Sequence, residues 1–170
     1  EIFNTLKKMK NDGITQRIGL SIYNPDDLNQ IPNLKEYDIV QSPLNILDRR
    51  LVNSGWLSTL KDFGIEVQVR SIFLQGLLLM SKESRPNYFN QWNALWQRLE
   101  SWLNESKINA VEACTNFPFS FDGVDNVVVG VDTCRHLNEI VSSLHSNPIN
   151  FPEDIESVDL NLINPTYWKN

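Results

Sequence analysis

The chain has 170 residues and a mass of 19.6 kDa, with 41% hydrophobic and 10% aromatic content, enough to bury a core as a single globular domain and to exclude disorder. Acidic side chains number 21 against 15 basic ones, a formal charge of -6, so no electrostatic footprint for a phosphate backbone exists and nucleic acid is not an expected partner. No apolar run approaches the roughly 18–20 residues that cross a bilayer, and the opening residues lack the apolar segment of a signal peptide. The expected location is the cytoplasm, with no membrane partner.

Ile2, Phe3, Leu6 and Met9 stand at helical spacing from the first residues onward. A chain that opens on Glu1 with a helix already in progress reads as a piece of something longer. Asn11-Asp12-Gly13 is a turn that stops this helix, because glycine takes the left-handed conformation of a C-terminal cap without steric cost. A short apolar strand follows, Arg17-Ile18-Gly19-Leu20-Ser21. Asn24-Pro25-Asp26-Asp27-Leu28 then supplies an N-cap residue, a first-turn proline and acidic side chains where a helix dipole favours them.

The same strand-to-helix order returns three times. Tyr37-Asp38-Ile39-Val40-Gln41 leads into a helix over 56–63, Ile65-Glu66-Val67-Gln68-Val69-Arg70 into one over 76–80, and Val127-Val128-Val129-Gly130 into one over 133–144. Two longer helical patterns, 88–103 and 108–117, lie between the third and fourth strands. The first carries Phe89, Trp92, Leu95, Trp96, Leu99, Trp102 and Leu103, at the spacing of a buried helix face. Cys114 and Cys134 stand in separate segments without CxxC or zinc-ligand spacing, so neither a disulfide framework nor a metal site is expected, and both read as packing thiols.

Alternating strands and helices predict a parallel sheet covered by helices. Four units are too few for a closed (β/α)8 barrel, which takes about 250 residues. An open sheet of this kind is expected to leave two strand edges and one apolar face exposed. Ligands of parallel α/β folds sit at the carboxyl ends of the strands. Here those ends are polar: Ser21 with Tyr23 and Asn24, then Gln41-Ser42-Pro43-Leu44-Asn45, then Arg70-Ser71 up to Gln75-Gly76, then Gly130-Val131-Asp132-Thr133. A Gln41 or Arg70 closing an apolar strand is either paired within the protein or has a ligand to bind.

Four phrases in this order, Ile18-Gly19-Leu20-Ser21, Val40-Gln41-Ser42-Pro43-Leu44-Asn45, Arg70-Ser71 with Gln75-Gly76-Leu77-Leu78, and Val129-Gly130 followed by Leu137 and Glu139, resemble the aldo/keto reductase family over nearly the whole chain. They look like strands five to eight of that family's barrel. The ending Leu162-Ile163-Asn164-Pro165 with Trp168 is similar to its C-terminal segment. The resemblance implies a half-barrel, the C-terminal half of a TIM (β/α)8 barrel, and reduction of a carbonyl to an alcohol with NADP or NAD as cofactor. Carried over by position, Ser21 and Gln41 hold the nicotinamide carboxamide. Arg70 takes the place of an aromatic that stacks on the nicotinamide. Ser71, Phe73 and Gln75 line the pyrophosphate. Gly130, Val131, Asp132, Thr133, His136 and Glu139 border the adenosine end.

The chain departs from the family pattern at Arg70, at Ile22 where Asn follows the Ser, and at Ile140 where Asn often reads adenine. Asp132, without a Lys or Arg close after Gly130, argues against a 2′-phosphate, whereas Arg135 and a protonated His136 are the cations at hand for one. The cofactor preference is therefore open. Ser21-Ile22-Tyr23 and Asp48-Arg49-Arg50 look like a bacterial branch near surface-polysaccharide and nonulosonic-sugar pathways, which implies a sugar-like carbonyl substrate. The family's Asp, Tyr, Lys and His catalytic set belongs to the first barrel half. Tyr23, Tyr37, Tyr88 and Tyr167 have no Asp or Lys at the family's spacing, so no catalytic residue is assigned. His136 and His145 have no Ser or Cys partner for nucleophilic catalysis. Two expectations result: a cofactor-binding half that is inactive until joined by an N-terminal half-barrel, or a half-barrel that pairs with a second copy of itself as a nucleotide-binding or structural module.

Overall fold

The computed structural model describes residues 1–144 and 148–169; His145 lies outside them. Helix α1 (Ile2–Asn11) ends in the expected turn, with Gly13 at φ 72°. Strand β1 (Gly19–Ser21) follows, and Asn24 with Asp27 forms a complete capping box on a short 3-10 helix, Pro25–Gln30. Sequence patterning predicts an α-helical crossover here. Instead a second 3-10 turn, Leu34–Glu36, follows Pro32, whose missing N–H and restricted predecessor interrupt helix propagation.

Strand β2 (Ile39–Pro43) leads through α2 (Arg50–Asn53) and α3 (Trp56–Asp62) to β3 (Glu66–Arg70). The helix expected over 76–80 is a single 3-10 turn, Leu77–Leu79, bounded by Gly76 at φ 83° and an extended Met80. The pattern over 88–103 divides into a 3-10 helix, Asn87–Trp92, and α4 (Asn93–Ser106), with Trp96 Nε1 donating to the Phe89 carbonyl oxygen at 2.9 Å across the join. Its aromatic stripe packs as expected, Phe89, Leu95, Trp96 and Leu99 being buried. Helix α5 (Ala110–Asn116), strand β4 (Asn126–Val127), α6 (Cys134–Ser142) and α7 (Leu160–Ile163) complete the chain.

The strand order is β1-β2-β3-β4, every pair parallel, as four consecutive strand-to-helix units of a barrel require. Close approach of β1 to β2 depends on Gly19, where a Cβ would stand 2.6 Å from the Ile39 carbonyl oxygen. Strand β4 is shorter than the expected 127–130. Its pairing ends with Val128 N–H on the Val69 carbonyl oxygen, because β3 turns away at Ser71, whose φ is 61°.

Strand alternation divides the sheet into two chemically different faces. Val40, Val67 and Val69 are fully buried against the helices, in one cluster with Leu51, Leu60, Trp96 and Phe117. The opposite face corrects the expectation of an exposed apolar surface. Glu66 stands beside Ile39, while Gln41, Gln68 and Asn126 stand in register with Ser21, so this face is largely polar. Several of its side chains satisfy one another: Glu66 accepts from Gln68 Nε2 and Asn126 Nδ2, both at 2.9 Å, and pairs with Arg17 at 2.5 Å.

Exposed apolar surface lies instead on α6, where Leu137 and Val141 are exposed with Leu144 just beyond the helix. Cys114 is buried as a packing thiol and burial pushes its pKa up. Cys134 is not: it is exposed at the start of α6, a helix with no buried residue.

Candidate functional site

A cleft of about 860 Å³ opens at the carboxyl ends of β3 and β4. One wall is the loop that follows β3. Ile72 and Leu74 anchor it in the core, while Ser71, Phe73 and Gln75 alternate with them along the cleft side. Ser71, Leu74 and Gln75 have φ of 61°, 47° and 55°, and Gly76 follows at 83°. Left-handed backbone at a residue other than glycine costs about 1–3 kcal/mol and persists where surrounding structure compels it. The loop's internal bonds, Leu74 N–H to Ser71 O and Leu78 N–H to Phe73 O, hold that shape. Among the described residues, the amides of Phe73, Gln75 and Gly76 meet no acceptor. A concave row of free amides beside a cleft suits an anion.

The facing wall comes from β4 and α6. Val128, Val129 and Gly130 bring the chain to Asp132, and Thr133 caps α6 by accepting from His136 N–H at 3.1 Å. His136, Glu139 and Ile140 extend this wall, and Val111 of α5 and Leu79 close it with apolar surface. Eight of the twelve residues singled out in the sequence therefore line one cleft: Arg70, Ser71, Phe73 and Gln75 on one side, Gly130, Asp132, His136 and Glu139 on the other. Val131 and Thr133 are exposed beside it without lining it. Val111 and Leu79 carry no sequence signal of a site, since each reads as ordinary helix packing.

Ser21 and Gln41 stand apart from the cleft lining, side by side in register on the open face of the sheet. Ser21 Oγ donates to Gln41 Oε1 at 3.4 Å, and Gln41 Nε2 has no acceptor among the described residues. Between this pair and the cleft sits Arg70. Its Nη2 donates to the Ile22 carbonyl oxygen at 3.0 Å and its Nη1 to Ser71 Oγ at 3.1 Å, with the guanidinium 4.6 Å from the Tyr23 ring centroid. Of the two readings left open by its position, pairing within the protein is the one the geometry displays.

The cleft's charge is uneven. Arg70 marks one end, and Asp132 and Glu139 mark the other, where α6 begins. No helix among the described residues is long and apolar enough to cross a membrane.

The profile of the aldo/keto reductase family matches residues 1–159. The chain is 36% identical over 78 residues to an NADH-specific methylglyoxal reductase of Escherichia coli K12; that match takes in 46% of this chain and 24% of the relative. Among solved structures it superposes on the holo form of an aldo-keto reductase, AKR11C1, from Bacillus halodurans. The TM-score is 0.63 at 20% identity, over 85% of this chain and 49% of the other. A thermostable aldo-keto reductase, Tm1743, superposes with a TM-score of 0.57 at 16% identity, over 89% of this chain and 50% of its own. The chain thus spans about half the length of these solved structures, which share its fold, that of half a (β/α)8 barrel. It belongs to the aldo/keto reductase family.

Proposed function

We propose that the cleft holds a nicotinamide dinucleotide and that, joined to a half-barrel bearing the proton-donating set, the chain forms an NAD(P)H-dependent carbonyl reductase. The observation that carries this reading is the loop from Ser71 to Gly76, strained into left-handed backbone with three unmatched amides along the cleft. Those amides and the Ser71 hydroxyl fit a pyrophosphate. When bound, the reduced nicotinamide supplies a hydride to the carbonyl carbon of a substrate.

The protein's part is orientation. Gln41 Nε2, without an acceptor among the described residues, donates to the carboxamide oxygen, and Ser21 supports Gln41 from β1. Asp132 and Glu139 accept from ribose hydroxyls, and Ile140 and Val111 offer apolar walls to the adenine. Two carboxylates at that end repel a 2′-phosphate, so NADH is preferred to NADPH, in keeping with the NADH specificity of the Escherichia coli relative. The chain by itself lacks reductase activity, because none of its tyrosines is assigned as proton donor. The substrate is a small carbonyl compound.

Fluorescence titration of the full-length protein with both dinucleotides tests the reading. NADH should bind about tenfold more tightly than NADPH, and Glu139→Lys should narrow that gap. Absence of binding by either dinucleotide would sink the proposal.

A further inference from the structure

A second cavity, of about 220 Å³, lies on the other side of Arg70, Ser71 and Gln75 from the cofactor cleft. Its remaining walls are Tyr23 after β1, Pro43 at the end of β2, Arg50, and the C-terminal segment through Asn164 and Thr166. We propose that this cavity takes the carboxylate of a small anionic carbonyl substrate, held by the guanidinium groups of Arg50 and Arg70. The inference rests on the reductase reading and names the substrate class for it.

The cavity's lining contains two guanidiniums and no carboxylate among the described residues. Like charges brought to one small cavity cost free energy unless something compensates them. Arg50 has such compensation from behind. Its Nε and Nη2 each donate to Asp48 at 2.8 Å, in a two-pronged pair whose carboxylate is 1% exposed, and Nη2 also reaches the Tyr23 carbonyl oxygen at 3.2 Å. This clamp orients the guanidinium and leaves Nη1 without an acceptor among the described residues. Arg70 forms no ion pair with a described carboxylate; carbonyl, hydroxyl and ring contacts are its neutral partners. Asp26 and Asp27 add to the field of Asp48 on Arg50, so the uncompensated charge is that of Arg70, and an incoming carboxylate supplies its counter-charge in the planar geometry guanidiniums recognise.

Position and size narrow the class. Because Arg70, Ser71 and Gln75 are shared with the cofactor cleft, an anion seated on the far side leaves its reducible carbonyl toward the nicotinamide end. The volume of about 220 Å³ suits a short-chain oxo acid. Pro43 and Ile163 give its carbon chain an apolar wall.

The test compares succinic semialdehyde with butanal, its uncharged counterpart, as substrates of the full-length protein, and measures binding of succinate as an inert carboxylate. Succinic semialdehyde should exceed butanal in kcat/KM by about tenfold or more, with the difference carried in KM. Arg50→Gln should lower that ratio about ten- to hundredfold and weaken succinate binding in parallel; Arg50→Lys, which keeps a charge, should lower it less. Thermal unfolding of both variants separates this effect from lost folding at the Asp48 pair. If neither aldehyde is reduced but succinate binds in an Arg50-dependent way, the reductase reading fails and the anion site stands. Equal kcat/KM for the two aldehydes overturns the inference and leaves the reductase reading intact. So does an Arg50→Gln variant that weakens NADH rather than succinate, or a preference for glyceraldehyde 3-phosphate over succinic semialdehyde.

Discussion

Arg70 at the end of β3 is bound to Ile22 just after β1, its Nη2 donating to the Ile22 carbonyl oxygen at 3.0 Å while its guanidinium lies 4.6 Å from the Tyr23 ring centroid. The contact bridges two strands that are not neighbours in the sheet, passing over the end of β2. It also separates the large cleft from the small cavity, both of which Arg70 lines. A side chain so engaged acts as a partition between the two spaces, and stacking on a nicotinamide requires it to leave Tyr23.

Arg70→Tyr distinguishes these roles. A planar ring restores the stacking surface, so dinucleotide affinity in a fluorescence titration should be kept or improved. Reduction of an anionic substrate should weaken at the same time. A dinucleotide affinity lowered more than about tenfold would place Arg70 on the cofactor instead.

Gly19 and Gly130 offer a matched pair of backbone tests. An alanine Cβ at Gly19 would meet the Ile39 carbonyl oxygen at 2.6 Å, whereas at Gly130 nothing lies within 4 Å. Gly19→Ala should destabilise the protein by about 1–3 kcal/mol through forced separation of β1 and β2. Gly130→Ala should leave chemical denaturation midpoints nearly unchanged. Equal midpoints for the two variants would show that the β1–β2 contact yields without cost.

Glu66 makes acid stability readable. Hydrogen bonds from Gln68 and Arg17, against burial that acts the other way, hold its carboxyl below the ordinary glutamate range. A depressed folded-state pKa contributes stability that is present above the unfolded value, about 4.3, and is lost as pH falls through the folded value. Glu66→Gln should therefore flatten the stability profile below about pH 4.3. Unfolding curves of unchanged steepness against pH in that variant would rule out the linkage.

Leu137, Val141 and Leu144 put apolar surface on and beside α6, while the open face of the sheet is mostly polar. The 170-residue chain should bind a hydrophobic dye and self-associate through α6. Leu137→Ser with Val141→Glu should reduce both signals, and Gln68→Ala should reduce neither. A monomeric, dye-silent chain in analytical ultracentrifugation would contradict this.

Much of the architecture is legible in the residues alone. Alternating apolar positions locate Val67 and Val69, helical spacing locates Leu95, Trp96 and Leu99, and the Asn24-Pro25-Asp26-Asp27 run announces its own N-cap. These signals are local, set by periods of two and 3.6 residues and by the needs of a few backbone groups. The family phrases at the strand ends likewise direct attention to the wall from Ser71 to Gln75 and the wall from Gly130 to Glu139.

What only the tertiary structure decided is how polar groups pair across long separations. Arg70 finds Ile22 at a distance of 48 residues, Asn126 finds Glu66 at a distance of 60, and Val111 reaches the cleft from a helix whose pattern signals only packing. The same strand period that marks one face of the sheet as apolar says nothing about whether the other is covered, paired or open. An amide, a carboxylate or a guanidinium is compatible with several partners, and its choice is made when the chain has folded around it, by distance and by the cost of leaving a buried polar group unmatched.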